Sequence, residues 1–394
     1  MQRLPFDTID RLPPYVFAVV NDLKARYRGE GKDIIDFGMG NPDQPTPAHI
    51  VDKLVEASRN ERNHKYSVSR GIFRLRKAVS EWYKSRYDVD INPDEEAIIT
   101  MGAKEGYSHL ALATINRGDL CIVPTPSYSI HMYAMVIAGA QVMGVPVEDP
   151  QAYLDGVRSI IRSSSLKPKF IVASYPHNPT TAVAERSFFE ELVAIAREAG
   201  IYIIHDIAYA DIVFDGYRAP SILEIPGAKD VAVEFMSLSK SYNMAGWRVG
   251  FAAGNKDLVG ALKKIKSYLD YGMFQPIQVA AIRALTGPQD CVQDIRRLYE
   301  QRRNVVIESF GRAGWPITPP KATMFVWAPI PEPFRAMGSL EFSKLLVSEA
   351  GVSVSPGIGF GQGGDGHVRI ALIENEHRIR QAARNVRALL EKRG

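Results

Sequence analysis

The chain has 394 residues, 46% hydrophobic and 23% charged, an ordinary globular composition with length for two or three domains. Forty-eight basic and 44 acidic residues leave a formal charge of +4, too little asymmetry to indicate a nucleic-acid or membrane-surface partner. Two cysteines, Cys121 and Cys291, match no metal or redox spacing and are expected as buried free thiols in a reducing compartment.

The segment Met1–Tyr15 holds Asp7, Asp10 and three prolines, which does not read as a secretory signal. A helix is predicted over Val16–Tyr27, and the first fifty residues carry no strand pattern of their own. From about Val51 to Ile282, short apolar runs alternate with amphipathic stretches. Strands are predicted at Ala97–Thr100, Leu120–Val123, Gln141–Val145, Phe170–Ser174, Ile201–His205 and Ala232–Ser237. Helices are predicted at Lys104–Asn116, Ile130–Ala138 and Arg186–Ala199. The best apolar stretch, Tyr133–Val145, is short and broken by Gln141, well below a membrane span. A soluble, cytoplasmic protein is therefore expected. Beyond the alternating region come a charged helix over Asp290–Gly311, a strand at Met324–Ala328, a Gly-rich loop, a strand at His367–Leu372 and a closing helix at Glu376–Lys392.

Strand–helix alternation predicts an α/β fold with a mainly parallel sheet covered on both faces. The expected organisation is a large domain over 51–285 and a smaller α+β domain over 286–394, against which residues 1–50 pack.

Several segments at predicted strand ends carry chemistry. Met101-Gly102-Ala103-Lys104-Glu105-Gly106 joins a strand to a helix, where backbone N–H groups form a ready phosphate site. Lys104 itself is an alternative catalytic lysine, but it has no carboxylate or hydroxyl pair beside it. Tyr128 can stack on a flat ring or simply fill the core. Tyr175-Pro176-His177-Asn178-Pro179-Thr180 aims the Asn178 amide from a turn. Asp206, in His205-Asp206-Ile207-Ala208-Tyr209, can pair with a protonated pyridine nitrogen, or cap a helix. Tyr209 follows three residues later, within reach of a phenolic oxygen on the same ring.

Ser237-Leu238-Ser239-Lys240 ends an apolar strand, and Arg248 follows eight residues after the lysine. A lysine amine can form a Schiff base with an aldehyde, while serines and a guanidinium hold a phosphate dianion. A solvated lysine at a strand end is the plain alternative. Arg369, among apolar neighbours in its strand, is costly to bury alone; a substrate carboxylate or a structural ion pair would satisfy it. Pro356-Gly357-Ile358-Gly359-Phe360-Gly361 opens no amphipathic helix and is not a dinucleotide fingerprint.

Together with Gly40-Asn41-Pro42-Asp43 and Tyr66…Gly71…Leu75-Arg76, these segments are similar to the class I/II aminotransferases of fold type I, which use pyridoxal 5′-phosphate (PLP). At finer grain, Arg11-Leu12-Pro13-Pro14-Tyr15-Val16-Phe17 and Lys240-Ser241-Tyr242-Asn243-Met244-Ala245-Gly246-Trp247-Arg248 resemble the bacterial glutamate–pyruvate aminotransferases. The resemblance implies that Lys240 carries PLP and shuttles the substrate's α-proton. Asp206 would pair with the pyridinium, Asn178 and Tyr209 would tune the ring's phenolate, and Tyr128 would stack on the ring. Ser237, Ser239 and Arg248 would hold the phosphate with the amides of Ala103 and Lys104. Arg369 would clamp the α-carboxylate, helped by Asn178, Gly40 and Tyr15. Tyr66 would reach the phosphate of a second subunit, which implies a homodimer with shared sites. No metal is expected.

The implied reaction is ping-pong transamination, with alanine and 2-oxoglutarate giving pyruvate and glutamate. Aspartate or LL-diaminopimelate as donor, or carbon–sulfur β-elimination on the same scaffold, are the alternatives. A PLP-sensing transcription regulator would need an appended DNA-binding domain, for which the chain has no room. One departure stands out: where the family usually has Gly after Asn178-Pro179-Thr180, this chain has Thr181.

Overall fold

In the computed structural model, which describes residues 6–393, strand side chains alternate between two apolar environments. Ile99, Ile122, Ile171 and Ile203 enter one core; their neighbours Ile98, Cys121, Val172 and Ile204 enter a second on the opposite face. A period of two with both faces apolar is what a sheet covered by helices on each side requires.

The strands are β1 (Ile35–Asp36), β2 (Ala97–Thr100), β3 (Leu120–Thr125), β4 (Gln141–Pro146), β5 (Pro168–Ser174), β6 (Tyr202–Asp206), β7 (Ala232–Ser237), β8 (Gly250–Gly254), β9 (Phe325–Pro329), β10 (Val352–Ser353), β11 (Ser355–Pro356) and β12 (His367–Ala371). Seven form the main sheet in the order β2-β8-β7-β6-β5-β3-β4, parallel except for the pairings of β8 with β2 and β7. Helices Arg186–Ala199 and Ala103–Thr114 are among those covering it.

A third core, built on Phe37, Phe310, Trp315, Phe342 and Val368, underlies a three-stranded antiparallel sheet, β11-β12-β9. The helices Asp290–Arg312 and Glu376–Arg393 pack beside it. The fold is thus a large α/β domain with a smaller α+β domain.

The early segment departs from expectation in one respect. It does contribute to a sheet: β1 pairs in parallel with β10, Ile35 opposite Val352. A strand of two residues has no room for a detectable alternation. The helix predicted from Val16 runs to Gly29. Both cysteines are free thiols, with Cys121 buried and Cys291 only half-buried, against the expectation that both are buried. Among the described residues, no helix is long and apolar enough to cross a membrane.

Candidate active site

A cavity of about 520 Å³ opens at the carboxyl ends of β5, β6 and β7, where ligands gather in open α/β sheets. Ala103, Lys104, Tyr128, Asn178, Asp206, Tyr209, Ser237, Ser239, Lys240, Arg248, Gly40 and Arg369 all line it, although they come from segments spread over 330 residues. Two of the expected residues lie elsewhere. Tyr15 lines an adjoining recess that shares Gly40, Tyr128 and Arg369 with the main cavity. Tyr66 is 86% exposed and stacks on Tyr271 (ring centroids 4.6 Å apart), outside its own chain's cavity.

Lys240 sits just past β7, its Nζ donating to the Gly40 carbonyl at 2.7 Å. Burial, then the positive charges of Arg369 and Arg248, pull its amine down to about 7. Ser237 donates to Ser239 Oγ at 2.9 Å, and the Arg248 guanidinium lies against the Met101 carbonyl. Arg248 adopts a left-handed conformation (φ 57°). Gly102, at φ 80°, holds a conformation that disfavours a side chain, and a Cβ there would lie 2.4 Å from Arg248 Nη2 and push the guanidinium aside. The serines, the guanidinium and the start of helix Ala103–Thr114 thus form one cradle of donors.

Asp206 ends β6. Its Oδ1 accepts from the Ala208 amide at 3.0 Å, closing a turn; no helix directly follows β6, so Asp206 is not the helix cap that one alternative expected. Its Oδ2 lies 2.9 Å from Nε2 of His131, a residue with no anomaly of its own in the sequence. His131 is 1% exposed, and its Nδ1 is 2.8 Å from Ser127 Oγ. With Asp206 ionised, Nε2 donates, and the Ser127 hydroxyl completes a relay that fixes the carboxylate. The only trace of this in the sequence is Ser127 and His131 spaced four apart at a helix start. Asn178 Nδ2 approaches the Tyr209 hydroxyl at 3.5 Å, and burial holds that phenol well above its ordinary pKa, keeping it a neutral donor.

Arg369 comes from β12. It is 7% exposed, and no carboxylate pairs with it among the described residues, which removes the structural ion pair as its explanation. Its Nη1 donates to Asn178 Oδ1 at 2.7 Å, and its Nη2 lies 3.4 Å from Ser355 Oγ, while Nε has no partner. The guanidinium is layered between the rings of Phe325 (4.1 Å) and Phe360 (4.7 Å). Burial pushes it down to about 10. Neither aromatic was singled out from sequence.

The lining carries four cations, Lys104, Lys240, Arg248 and Arg369, against one carboxylate, Asp206. That balance suits a doubly charged phosphate plus a carboxylate, and the buried, unpaired Arg369 Nε is the atom that lacks its acceptor. The residues therefore fit PLP with an amino-acid substrate. A group of potential metal ligands elsewhere, Glu105, His109 and Asp270, is already filled by the Lys266 ammonium, 2.5 Å from Glu105 and 3.0 Å from Asp270.

Residues 32–386 match the family model for aminotransferase class I and II. The chain is 57% identical over 389 residues to glutamate-pyruvate aminotransferase AlaC of Escherichia coli, covering 99% of this chain and 94% of that one. It is 42% identical to the LL-diaminopimelate aminotransferase of Moorella thermoacetica, covering 98% of each. The substrate-bound structure of BacF from Bacillus subtilis superposes with a TM-score of 0.92 at 36% identity, covering 99% of this chain and 98% of that one. The cavity and these likenesses agree: the chain belongs to the class I and II aminotransferases, enzymes that depend on PLP.

Proposed function

We propose that the protein moves the amino group of L-alanine to 2-oxoglutarate by a ping-pong route, yielding pyruvate and glutamate. The observation that carries the reading is the pairing, in one cavity, of a lysine with a depressed pKa and a buried arginine without a carboxylate partner. Alanine as donor rests on the name of the relative at 57% identity; relatives at 42% are LL-diaminopimelate aminotransferases.

When bound, PLP supplies an electron sink for the charge left on the substrate's α-carbon. Lys240 would hold the cofactor through its amine, and the same Nζ would move the substrate's α-proton; an amine of pKa about 7 is well matched to that task near neutral pH. Asp206, held by His131, would keep the ring nitrogen protonated. Asn178 and Tyr209 would donate to the ring's phenolic oxygen, and Tyr128 would cover its face. Ser237, Ser239, Arg248 and the amides of Ala103 and Lys104 would hold the phosphate. Arg369 binds the α-carboxylate through two parallel hydrogen bonds, with Gly40, Asn178 and Tyr15 alongside.

The reading includes a cytoplasmic homodimer and the division 1–50, 51–285 and 286–394. An exposed patch of Tyr66, Val68, Tyr268, Leu269, Tyr271 and Phe274 supports a partner subunit on this side, with Tyr66 reaching across to the partner's phosphate site. To test the reading, purified holoenzyme is mixed with each of the twenty amino acids, with LL-diaminopimelate and with cystathionine, and the cofactor's absorbance change and the oxo acid and ammonia formed are followed. Alanine should react fastest and leave pyruvate without ammonia. A faster reaction with aspartate or LL-diaminopimelate would reassign the donor, and ammonia with pyruvate from cystathionine would indicate β-elimination.

A further inference from the structure

The chain passes between the large- and small-domain cores at several places, two of which bear on Lys240 and Arg369. The first is Phe37 to Ile50: Phe37 belongs to the small-domain core and Ile50 to the large one. Gly40, whose carbonyl receives Lys240 Nζ, lies within it. The second is the helix Asp290–Arg312, with Val292 in the large core and Tyr299, Val306 and Phe310 in the small one.

One guanidinium joins these passages. Arg302, 4% exposed, donates from Nη1 to Asp43 Oδ1 at 2.6 Å and from Nη2 to Asp43 Oδ2 at 2.8 Å. Its Nη1 also donates to the Leu372 carbonyl at 2.9 Å, three residues beyond Arg369. Past Asp43, the first passage is fixed to the turn that follows Lys240: Thr46 Oγ1 donates to the Asn243 carbonyl at 2.8 Å, and Asn243 Nδ2 donates to the Pro45 carbonyl at 3.4 Å. This ion pair, its guanidinium buried and its carboxylate partly exposed, therefore adds to the bond from the Ala371 amide to the Phe37 carbonyl (2.9 Å) in connecting the segment touching Lys240 with the strand bearing Arg369. Burying the Arg302 guanidinium gives up hydration that an apolar side chain would not have to give up, so stability alone is a poor reason for it. Its directional, two-pronged geometry does what apolar packing cannot: it fixes orientation.

We propose that Asp43 and Arg302 are positioning residues that set Arg369 relative to Lys240, so that a substrate clamped by its α-carboxylate presents its α-carbon to the Lys240 amine. This rests on the reading of Arg369 as the α-carboxylate site. Arg303, next in the chain, supplies an internal control. It is also 4% exposed and makes a two-pronged pair, with Asp215 (2.5 and 3.0 Å), but contacts neither Asp43 nor β12.

The test compares Arg302→Lys, Asp43→Asn, Arg303→Lys and Arg369→Lys holoenzymes by melting temperature, kcat/KM for L-alanine, the kinetic isotope effect with alanine deuterated at the α-carbon, and backbone hydrogen exchange. A displacement of about 1 Å at a reacting centre can cost on the order of a hundredfold, so Arg302→Lys and Asp43→Asn should lose roughly 10- to 100-fold in kcat/KM. Their isotope effect should rise as proton transfer becomes limiting, and exchange should quicken in residues 38–46 and 367–373 together. Arg303→Lys should lower the melting temperature and leave the kinetics within about twofold. If Arg302→Lys behaves like Arg303→Lys while Arg369→Lys is impaired, the pair is merely structural and the proposal is overturned. If Arg369→Lys is itself unimpaired, the reading of the carboxylate site falls, and the proposal with it.

Discussion

Replacing Arg369 by Lys keeps a positive charge and removes the planar fork. Arg369 is 7% exposed, so solvent screens its interactions little. A lysine ammonium can satisfy one carboxylate oxygen well but not two in parallel, and losing one charge-assisted hydrogen bond costs about 1.5–3 kcal/mol. The guanidinium plane also rests on Phe325 and Phe360 at 4.1 and 4.7 Å, and exchanging it for an ammonium forfeits about 0.5–1 kcal/mol of that contact. The sum, about 2–4 kcal/mol, corresponds to a loss of roughly 30- to 900-fold in kcat/KM. Both half-reactions should suffer alike, because amino acid and oxo acid both carry the α-carboxylate. Steady-state kinetics with L-alanine and 2-oxoglutarate as varied substrates measure this, with the cofactor's absorbance as a check that attachment is intact. A kcat/KM within about threefold of wild type for both substrates would refute the assignment.

Three further outcomes follow from the same geometry. Asp206→Ala should slow α-proton abstraction by about 10²-fold or more with the fold intact, while Asp206→Glu should be milder; exchange of the alanine α-proton into solvent reads this directly, and near-normal exchange would assign the task to another acid. Thr181, a β-branched residue at φ 62°, sits where backbone strain of about 1–2 kcal/mol is expected, so Thr181→Gly should raise the urea midpoint despite glycine's entropic cost, and a lowered midpoint would show that the loop carries no such strain. Mixing inactive Tyr66→Ala and Lys240→Ala subunits should restore partial activity by leaving one intact shared site in each heterodimer; verified subunit exchange without recovery would place Tyr66's role within its own chain, or nowhere in catalysis.

How far the sequence could be read depended on the range of the signal. Strands β2 and β7 were legible to the residue, as was the helix Arg186–Ala199, because apolar runs and their punctuation are local. Strand β8 carries no such signal. It reads Gly250-Phe251-Ala252-Ala253-Gly254, with little β-branched character, and its small residues are needed there: a Cβ on Gly250 would lie 2.7 Å from the Met236 carbonyl and 2.8 Å from the Ala103 amide. Lys240, Asp206 and Arg369 could be picked out because a charge in an apolar strand, or at its end, is anomalous by itself. His131 could not, since its significance lies in Asp206, 75 residues away, and Asp43 and Arg302 are separated by 259. Phe325 and Phe360 look like any core aromatics until the guanidinium between them is seen. Thr181 was visible only as a departure from a family pattern; the positive φ supplies the physical reason why glycine suits the position.

The attachment of the cofactor to Lys240 bears most directly on the whole account. Borohydride reduction of the holoenzyme, followed by proteolysis and peptide mass mapping, should find one pyridoxyl group, on the peptide containing Lys240. The Lys240→Ala variant should retain no reducible attachment and almost no turnover. A pyridoxyl group on Lys104, or on any lysine other than Lys240, would contradict the account at its centre.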